Sequence, residues 1–177
     1  TLSFNGNKTI TTGGGGAIMT DDSELAKRAK HLTTTAKLQH RWEYLHDEVG
    51  FNYRLPNLNA ALGYAQMECL SEFLASKRRL FERYRDAFLD VPQVRLFMEP
   101  DFCRSNYWLQ TLLMDESISD QRDVVLEVTN DADLMTRPAW TLMHRLEPYR
   151  DFPSMQLPVA KSLASRLINI PSSSGLA

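Results

Sequence analysis

Residues 3–17 read SFNGNKTITTGGGGA, and this stretch decides how the rest of the chain is interpreted. Its one lysine, Lys8, lies between a serine-led turn and a run of four glycines. A lysine that forms an imine needs an amine of lowered pKa and a rigid position close to a carbonyl. Ser3 and the glycines would offer a hydroxyl and backbone N–H groups to a phosphate. Spacing alone leaves two interpretations open, an imine-forming lysine or a solvated turn lysine beside a flexible tract.

A nucleotide-binding loop of the Walker type is a third interpretation of the same residues, because Gly6-Asn7-Lys8-Thr9 resembles the sequence G-K-T. That motif requires a glycine directly before the lysine and another glycine five residues earlier. Both glycines are missing here, so we exclude this class of site.

Composition and charge describe an ordinary globular protein. The chain has 177 residues with 43% hydrophobic and 24% charged side chains, which suits a soluble domain with a real core. A net charge of −2 gives no electrostatic case for nucleic acid as a partner. No apolar run approaches the roughly 18 residues that a membrane span requires. We therefore predict neither a nucleic-acid nor a membrane partner.

Cysteine and histidine give no metal motif. Two cysteines are too few for a disulfide scaffold, and their spacing fits no zinc site. The four histidines lack the H-x-x-x-H and H-E-x-x-H spacings. The sequence thus predicts a cytoplasmic protein without a metal, in which Cys69 is a small buried hydrophobic residue of a helix.

The first third of the chain predicts two strands, a helix and a long loop. Strands are expected at residues 2–4 and 17–19, with residues 9–12 extending the second strand. Asp21 is the predicted N-cap of the following helix. Residues 33–55 lack a helical or strand period but are rich in aromatic side chains, which is typical of a binding loop and argues against disorder.

Pro56 then suits the first turn of a helix or helix pair of roughly 30 residues. An apolar stripe that starts with Leu58 and continues to Phe88 supports this helical prediction. Strands are predicted at residues 94–96, 107–114, 134–138 and 168–171, and helices around residues 119–128, 140–144 and 158–167. This βαβ-like alternation suggests a small α/β domain.

Two blocks of sequence resemble one protein family. Residues 3–17 are similar to the S-F-x-x-x-K…G-x-G-G-A signature of the DegT/StrS-type nucleotide-sugar aminotransferases, which use pyridoxal phosphate (PLP). Residues 50–55 and 59–63 are similar to its second block, G-x-N-Y-R-x…A-A-x-x. The resemblance extends over essentially the whole chain. It implies the C-terminal part of a fold-type-I, α/β PLP aminotransferase: residues 1–57 would complete the large PLP domain, and residues 58–177 would form the long helix and the small α/β domain.

The resemblance implies a cofactor site at matched positions. Lys8 would bind PLP covalently and then act as the base that moves a proton during catalysis. Ser3 would donate to the cofactor phosphate. Asn52 would reach the phosphate bound by the neighbouring subunit, because the family builds its site across a homodimer. The glycine run departs from the G-E-G-G that many relatives carry.

Three further residues are candidates for contacts with the substrate, namely Arg54, His40 and Trp42. An arginine fork suits a diphosphate, and an aromatic ring can cover a sugar or a base. Alternatives stay open, since Arg54 could be a structural ion-pair partner, His40 an exposed histidine and Trp42 a packing residue.

Residues 33–38, 40–47 and 135–140 look most like the branch that aminates the 4-keto group of UDP-linked 6-deoxy-N-acetylhexosamines, on routes to bactosamine- and legionaminic-type sugars. The expected amino donor is glutamate. The family's ring-nitrogen acid, stacking aromatic and phosphate loop lie upstream of its lysine, so we expect these 177 residues alone to be inactive. A non-catalytic domain that keeps the fold and dimer contacts is the alternative. A sugar dehydratase of the same fold is disfavoured by Lys8.

Overall fold

The computed structural model describes all residues, 1–177, and the chain divides into two compact units, Thr1–Ser71 and Glu72–Ala177. The prediction of a division after residue 57 stays a prediction. No helix is both long and apolar enough to cross a membrane.

The first unit holds a two-stranded antiparallel ladder and two helices. Strand β1 (Leu2–Ser3) pairs with β2 (Gly16–Ala17) in the register Leu2 to Ala17. Helices α1 (Ser23–Thr33) and α2 (Asn57–Glu68) follow, separated by the predicted long loop.

The N-cap of α1 is Asp22, and the prediction of Asp21 was wrong by one residue. Asp22 has extended backbone angles, and its Oδ1 accepts hydrogen bonds from Glu24 N at 2.9 Å and Leu25 N at 3.1 Å. These bonds satisfy two of the amide donors that a helix start leaves unpaired.

The predicted long helix is a pair, because α2 ends at Glu68 and α3 (Leu70–Ala87) begins directly after Cys69. The Cys69 side chain is exposed, so the prediction of a buried cysteine was wrong. None of the α2 residues is buried in this chain, although Leu58 and Leu62 are apolar. The apolar stripe predicted the helix correctly, but it did not predict that most α2 residues are exposed in this chain.

The second unit packs α3 and two shorter helices with a four-stranded sheet in the order β3-β4-β6-β5. Its elements are β3 (Val94–Leu96), β4 (Gln110–Met114), α4 (Arg122–Asp131), β5 (Arg137–Pro138), α5 (Pro158–Arg166) and β6 (Leu167–Ile170). Short 3-10 turns span Glu116–Gln121, Met143–Arg145, Glu147–Tyr149 and Ser174–Leu176. Every strand pairing is antiparallel, so the βαβ-like alternation did not indicate parallel strands.

The hydrophobic core of this unit lies between the central strands and α3. Phe81 of α3 stacks on Tyr107 with ring centroids 4.4 Å apart. The other buried members are Leu96, Leu112, Met114, Ile168 and Ile170. Burying such side chains supplies the main favourable term in folding.

Polar side chains of α3 bind the C-terminal segment. Lys77 is buried, and its Nζ donates to the carbonyl oxygens of Ser172 and Trp108. Tyr84 donates its hydroxyl to Pro171 O at 3.0 Å. Burial lowers the pKa of Lys77 because it penalises the charged amine.

Arg78 of α3 fixes the loop between β3 and β4. Its guanidinium donates to both carboxylate oxygens of Glu99, at 2.8 and 3.0 Å, and to Ser105 O at 2.8 Å. Glu99 also accepts from Ser105 N. The Arg78 hydrogen bond, followed by the backbone bond from Ser105, lowers the pKa of Glu99 to about 2.

Acid should therefore weaken the second unit through Glu99. The pKa of Glu99 is lower in the folded state, so the ion pair stabilises the chain above pH 4.5 and this contribution is lost as the pH falls toward about 2. We expect Glu99→Gln to lower the melting temperature at pH 7 and to reduce its acid sensitivity. Asp101→Asn, in the same loop, is the control. Parallel pH profiles for wild type and Glu99→Gln would contradict the prediction.

Candidate active site

Lys8 lies on a loop whose two ends are joined at Phe4. Phe4 N donates to Gly15 O at 3.0 Å, and Phe4 O accepts from Thr12 N at 3.0 Å and from the Thr11 hydroxyl at 3.2 Å. Within the loop, Lys8 N donates to Asn5 O at 3.0 Å. Lys8 is half-buried. The lysine that the sequence singled out is thus held on a closed turn at the end of β1.

The segment after Lys8 does not extend β2, so that prediction was wrong. Residues 9 and 10 form a bend and residues 11 and 12 have no regular structure. The Thr11 and Thr12 side chains bond back to Phe4 O and Gly14 O instead of lying along a ladder. Thr9 Oγ1 is buried and has no hydrogen-bond partner. A buried hydroxyl without a partner is costly. The Thr9 hydroxyl, next to Lys8 in the chain, is therefore able to bond another group.

The glycine run turns the chain back to β1. Gly13 and Gly15 have φ of +78° and +112°, which favour glycine. A Cβ on Gly16 would lie 2.5 Å from Leu2 O, so the ladder also requires glycine there. Ser3 is exposed beside this turn, and its Oγ accepts from Asn5 N at 3.4 Å.

The long loop of residues 33–55 is tied to the end of α1. Thr35 N donates to Phe51 O at 2.9 Å, and Phe51 N donates to Leu32 O at 2.7 Å. Thr35 and Ala36 both have positive φ, at 74° and 49°. Such a conformation is unfavourable for residues with a Cβ and persists only where surrounding bonds enforce it.

Charged side chains also join the loop of residues 33–55 to α1. Arg28 on α1 makes two bonds with Glu48, and His31 Nε2 lies 2.7 Å from Asp47 Oδ1. The Arg28 hydrogen bond lowers the pKa of Glu48, and the His31 hydrogen bond lowers that of Asp47. The ligand-type atoms of His31, Asp47 and Glu48 lie within 4.8 Å of one another, but ion pairing with Arg28 already accounts for Glu48.

Asn52 and Arg54 are brought together by this loop. Arg54 donates to Asn52 Oδ1 at 3.2 Å and to Thr34 O at 3.0 Å. The Nδ2 group of Asn52 makes no hydrogen bond within the chain, and the side chain is exposed. Two nitrogens of Arg54 are thus bonded within the loop, while Asn52 Nδ2 is a donor not used within the chain. The site roles of both residues stay predictions.

His40 and Trp42 lie at the far turn of the loop. His40 Nδ1 accepts from Glu43 N at 3.0 Å, and its ring meets Trp42 edge-on at 5.3 Å. Trp42 is 68% exposed, which contradicts packing within this chain as its role. Their contact with a substrate stays a prediction.

An open cleft of about 1200 Å³ lies beside the glycine run. The glycines, α1 and residues 53–56 line most of it, and Arg54 is the one predicted site residue among the lining. Lys30 and Asn59 also line it, and sequence reasoning assigned neither. The signal that could have indicated Asn59 is the second block of the resemblance, which includes residues 59–63.

Comparison with known proteins supports the family resemblance over the full length of the chain. The profile of the DegT/DnrJ/EryC1/StrS aminotransferase family matches residues 1–177. GDP-perosamine synthase of Escherichia coli O157:H7 is 34% identical over 172 residues, which cover 97% of this chain and 46% of that protein. The chain thus spans about half the length of the curated relatives it matches.

Solved structures show the same fold. Helicobacter pylori PseC, an aminotransferase involved in the biosynthesis of pseudoaminic acid, superposes with a TM-score of 0.90 at 23% identity, over 98% of this chain and 47% of that one. Spr1654 of Streptococcus pneumoniae, solved in PLP and PMP forms, gives a TM-score of 0.86 at 19% identity, over 99% and 46%. The predicted fold class, part of a fold-type-I aminotransferase, is confirmed.

The contacts that hold residues 33–55 against the end of α1 should be sensitive to one added methyl group. A Cβ on Gly50 would lie 2.5 Å from Ala36 N and from Thr35 C, so Gly50→Ala must displace Thr35 and Ala36, the two residues with positive φ. We expect a loss of about 1–3 kcal/mol of stability and faster proteolysis in residues 33–55. Gly14→Ala is the matched control, because nothing lies within 4 Å of its added Cβ. Equal proteolysis rates for the two variants would contradict the prediction that these contacts hold the loop in place.

Proposed function

The chain belongs to the DegT/DnrJ/EryC1/StrS aminotransferase family, and from this premise we propose that it forms the lysine-bearing part of an enzyme that transfers an amino group to a nucleotide-linked keto sugar. The observation that carries the proposal is the closed loop that holds Lys8 half-buried at the end of β1. A mobile surface lysine would need no such closure.

The residues around Lys8 fit PLP as the cofactor. Lys8 would hold it covalently, and the exposed Ser3 hydroxyl would donate to its phosphate. The partnerless hydroxyl of Thr9 supports a polar occupant beside Lys8. Asn52 would donate its Nδ2 group to the phosphate bound by a second subunit of a homodimer. When bound, PLP supplies an electron sink for the reacting carbon.

Lys8 itself would have two tasks in this reaction. Its Nζ holds the cofactor in place, and after release the same nitrogen takes up and returns the proton that amino transfer moves. Closure of the loop at Phe4 limits where Nζ can reach. This restriction favours one proton-transfer geometry over many.

Arg54, His40 and Trp42 are proposed to contact the nucleotide sugar. Two of the Arg54 nitrogens already bind Asn52 and Thr34, so its guanidinium is oriented before a diphosphate arrives. Trp42 offers an exposed ring able to cover a sugar or base, and Arg41 lies over it at 5.6 Å.

For the sugar, we propose a UDP-linked 4-keto-6-deoxy-N-acetylhexosamine, with glutamate as the amino donor. The support is the resemblance of residues 33–38, 40–47 and 135–140 to that branch. The relative named GDP-perosamine synthase favours a GDP-linked keto sugar as the second candidate. Amination of one nucleotide sugar but not the other by the complete enzyme would decide between them.

A non-catalytic domain is the competing function. Such a domain would keep the fold and subunit contacts but would not need a reactive Lys8.

Titration with PLP tests the proposal directly. We expect an absorbance change that saturates with PLP and, after borohydride reduction, one added cofactor mass on the peptide containing Lys8. Lys8→Ala should remove the labelled peptide. Lys27→Ala is the control, because Lys27 is an exposed α1 residue paired with Glu24 at 2.7 Å. Labels scattered over surface lysines would favour the non-catalytic domain.

A further inference from the structure

Helix α2 contacts the lysine loop with its polar face. Asn59 Nδ2 donates to Thr12 O, and Gln66 Oε1 accepts from Thr11 N at 3.3 Å. Between them, a Cβ on Gly63 would lie 2.6 Å from Thr12 Cγ2, so the helix backbone approaches Thr12 closely. Thr12 is only 3% exposed.

Residues 59, 63 and 66 are spaced by four and three positions, so they share one face of the helix. They are also the only residues of α2 that are not exposed. The apolar Leu58 and Leu62 lie on exposed faces, at 83% and 44% exposure. The contact that holds α2 against its own unit is therefore polar and is directed at the segment following Lys8.

We propose that Asn59 and Gln66 are positioning residues for Lys8. Thr11 and Thr12 also make the bonds that close the lysine loop at Phe4. Through them, α2 fixes the base of that loop and thereby the range of the Lys8 amine. The same helix begins at Asn57, three residues after Arg54, so one rigid element adjoins both segments of the site. The proposal rests on Lys8 being the PLP-binding residue.

The chemistry at the two positions differs, which gives a matched pair of variants. Position 59 must donate to a carbonyl oxygen, and position 66 must accept from an amide. Asn59→Asp removes the donor, whereas Gln66→Glu keeps an acceptor. Both variants add one negative charge to the same face of α2.

The hydrogen bonds predict that Asn59→Asp is more harmful than Gln66→Glu, whereas the helix dipole alone predicts the opposite order. Asp at position 59 lies in the first turn of α2 and Glu at position 66 lies in its last turn, so the helix dipole favours the first variant and disfavours the second. A defect confined to Asn59→Asp would therefore come from the lost hydrogen bond.

The experiment measures Lys8 in the 177-residue chain with and without PLP. We expect Asn59→Asp to weaken PLP binding to Lys8 about ten-fold, the effect of one lost hydrogen bond. It should also change the pH profile of reductive methylation of Lys8 in the cofactor-free chain. Gln66→Glu should stay close to wild type, whereas Gln66→Leu should speed hydrogen exchange at the Thr11 amide about ten-fold.

Two further comparisons separate the possible failures. Gly63→Ala keeps both hydrogen-bonding side chains but pushes Thr12, so it should reproduce the Asn59→Asp defect, while thermal melting verifies that each variant is folded. Equal behaviour of Asn59→Asp and Gln66→Glu would overturn the proposal. If wild type takes no PLP on Lys8, the proposed function fails, and methylation and exchange still test the positioning.

Discussion

The backbone of Phe4 is the junction on which the candidate site depends. Its amide and carbonyl oxygen bind Gly15, Thr11 and Thr12, so both ends of the lysine loop are fixed at one residue. Loop closure costs entropy, and short backbone bonds within a sequence-local segment offset that cost more readily than distant contacts do. The glycines with positive φ let the chain return to β1 at this junction. Lys8 thus owes its defined position to the backbone.

The second unit is organised by buried polar groups as much as by its apolar core. Lys77 and Arg78 are neighbours on α3, and both bind the β3–β4 loop, while Lys77 also binds the C-terminal segment. Gln110 is 1% exposed, and its Nε2 donates to Lys77 O at 3.0 Å. Because buried polar groups need partners, these bonds permit few alternative arrangements of α3.

The long loop combines strain with exposed aromatic side chains. Two successive positive-φ residues lie at its start, and Trp42, Tyr44 and Tyr53 are at least 68% exposed. Strained backbone held by many bonds is common where a protein presents side chains to another molecule. The ordered but exposed loop therefore accords with the role proposed for it in contacts with substrate and a second subunit.

Sequence by itself determined the elements whose signals are local. The Lys8 segment, the pairing of helices after Pro56 and the positions of β3, α5 and β6 follow from spacing, turn residues and short periods. The resemblance carried by residues 3–17 and 50–63 determined the family. Each of these depends on side chains close together in the chain.

Tertiary structure decided what depends on distant partners. The exposure of Cys69 and the antiparallel pairings were not readable from local patterns. The contacts of Asn59 and Gln66 with Thr12 and Thr11 join residues 47 and 55 positions apart. A polar residue on a helix looks solvated in sequence, and only the fold shows which backbone group it meets.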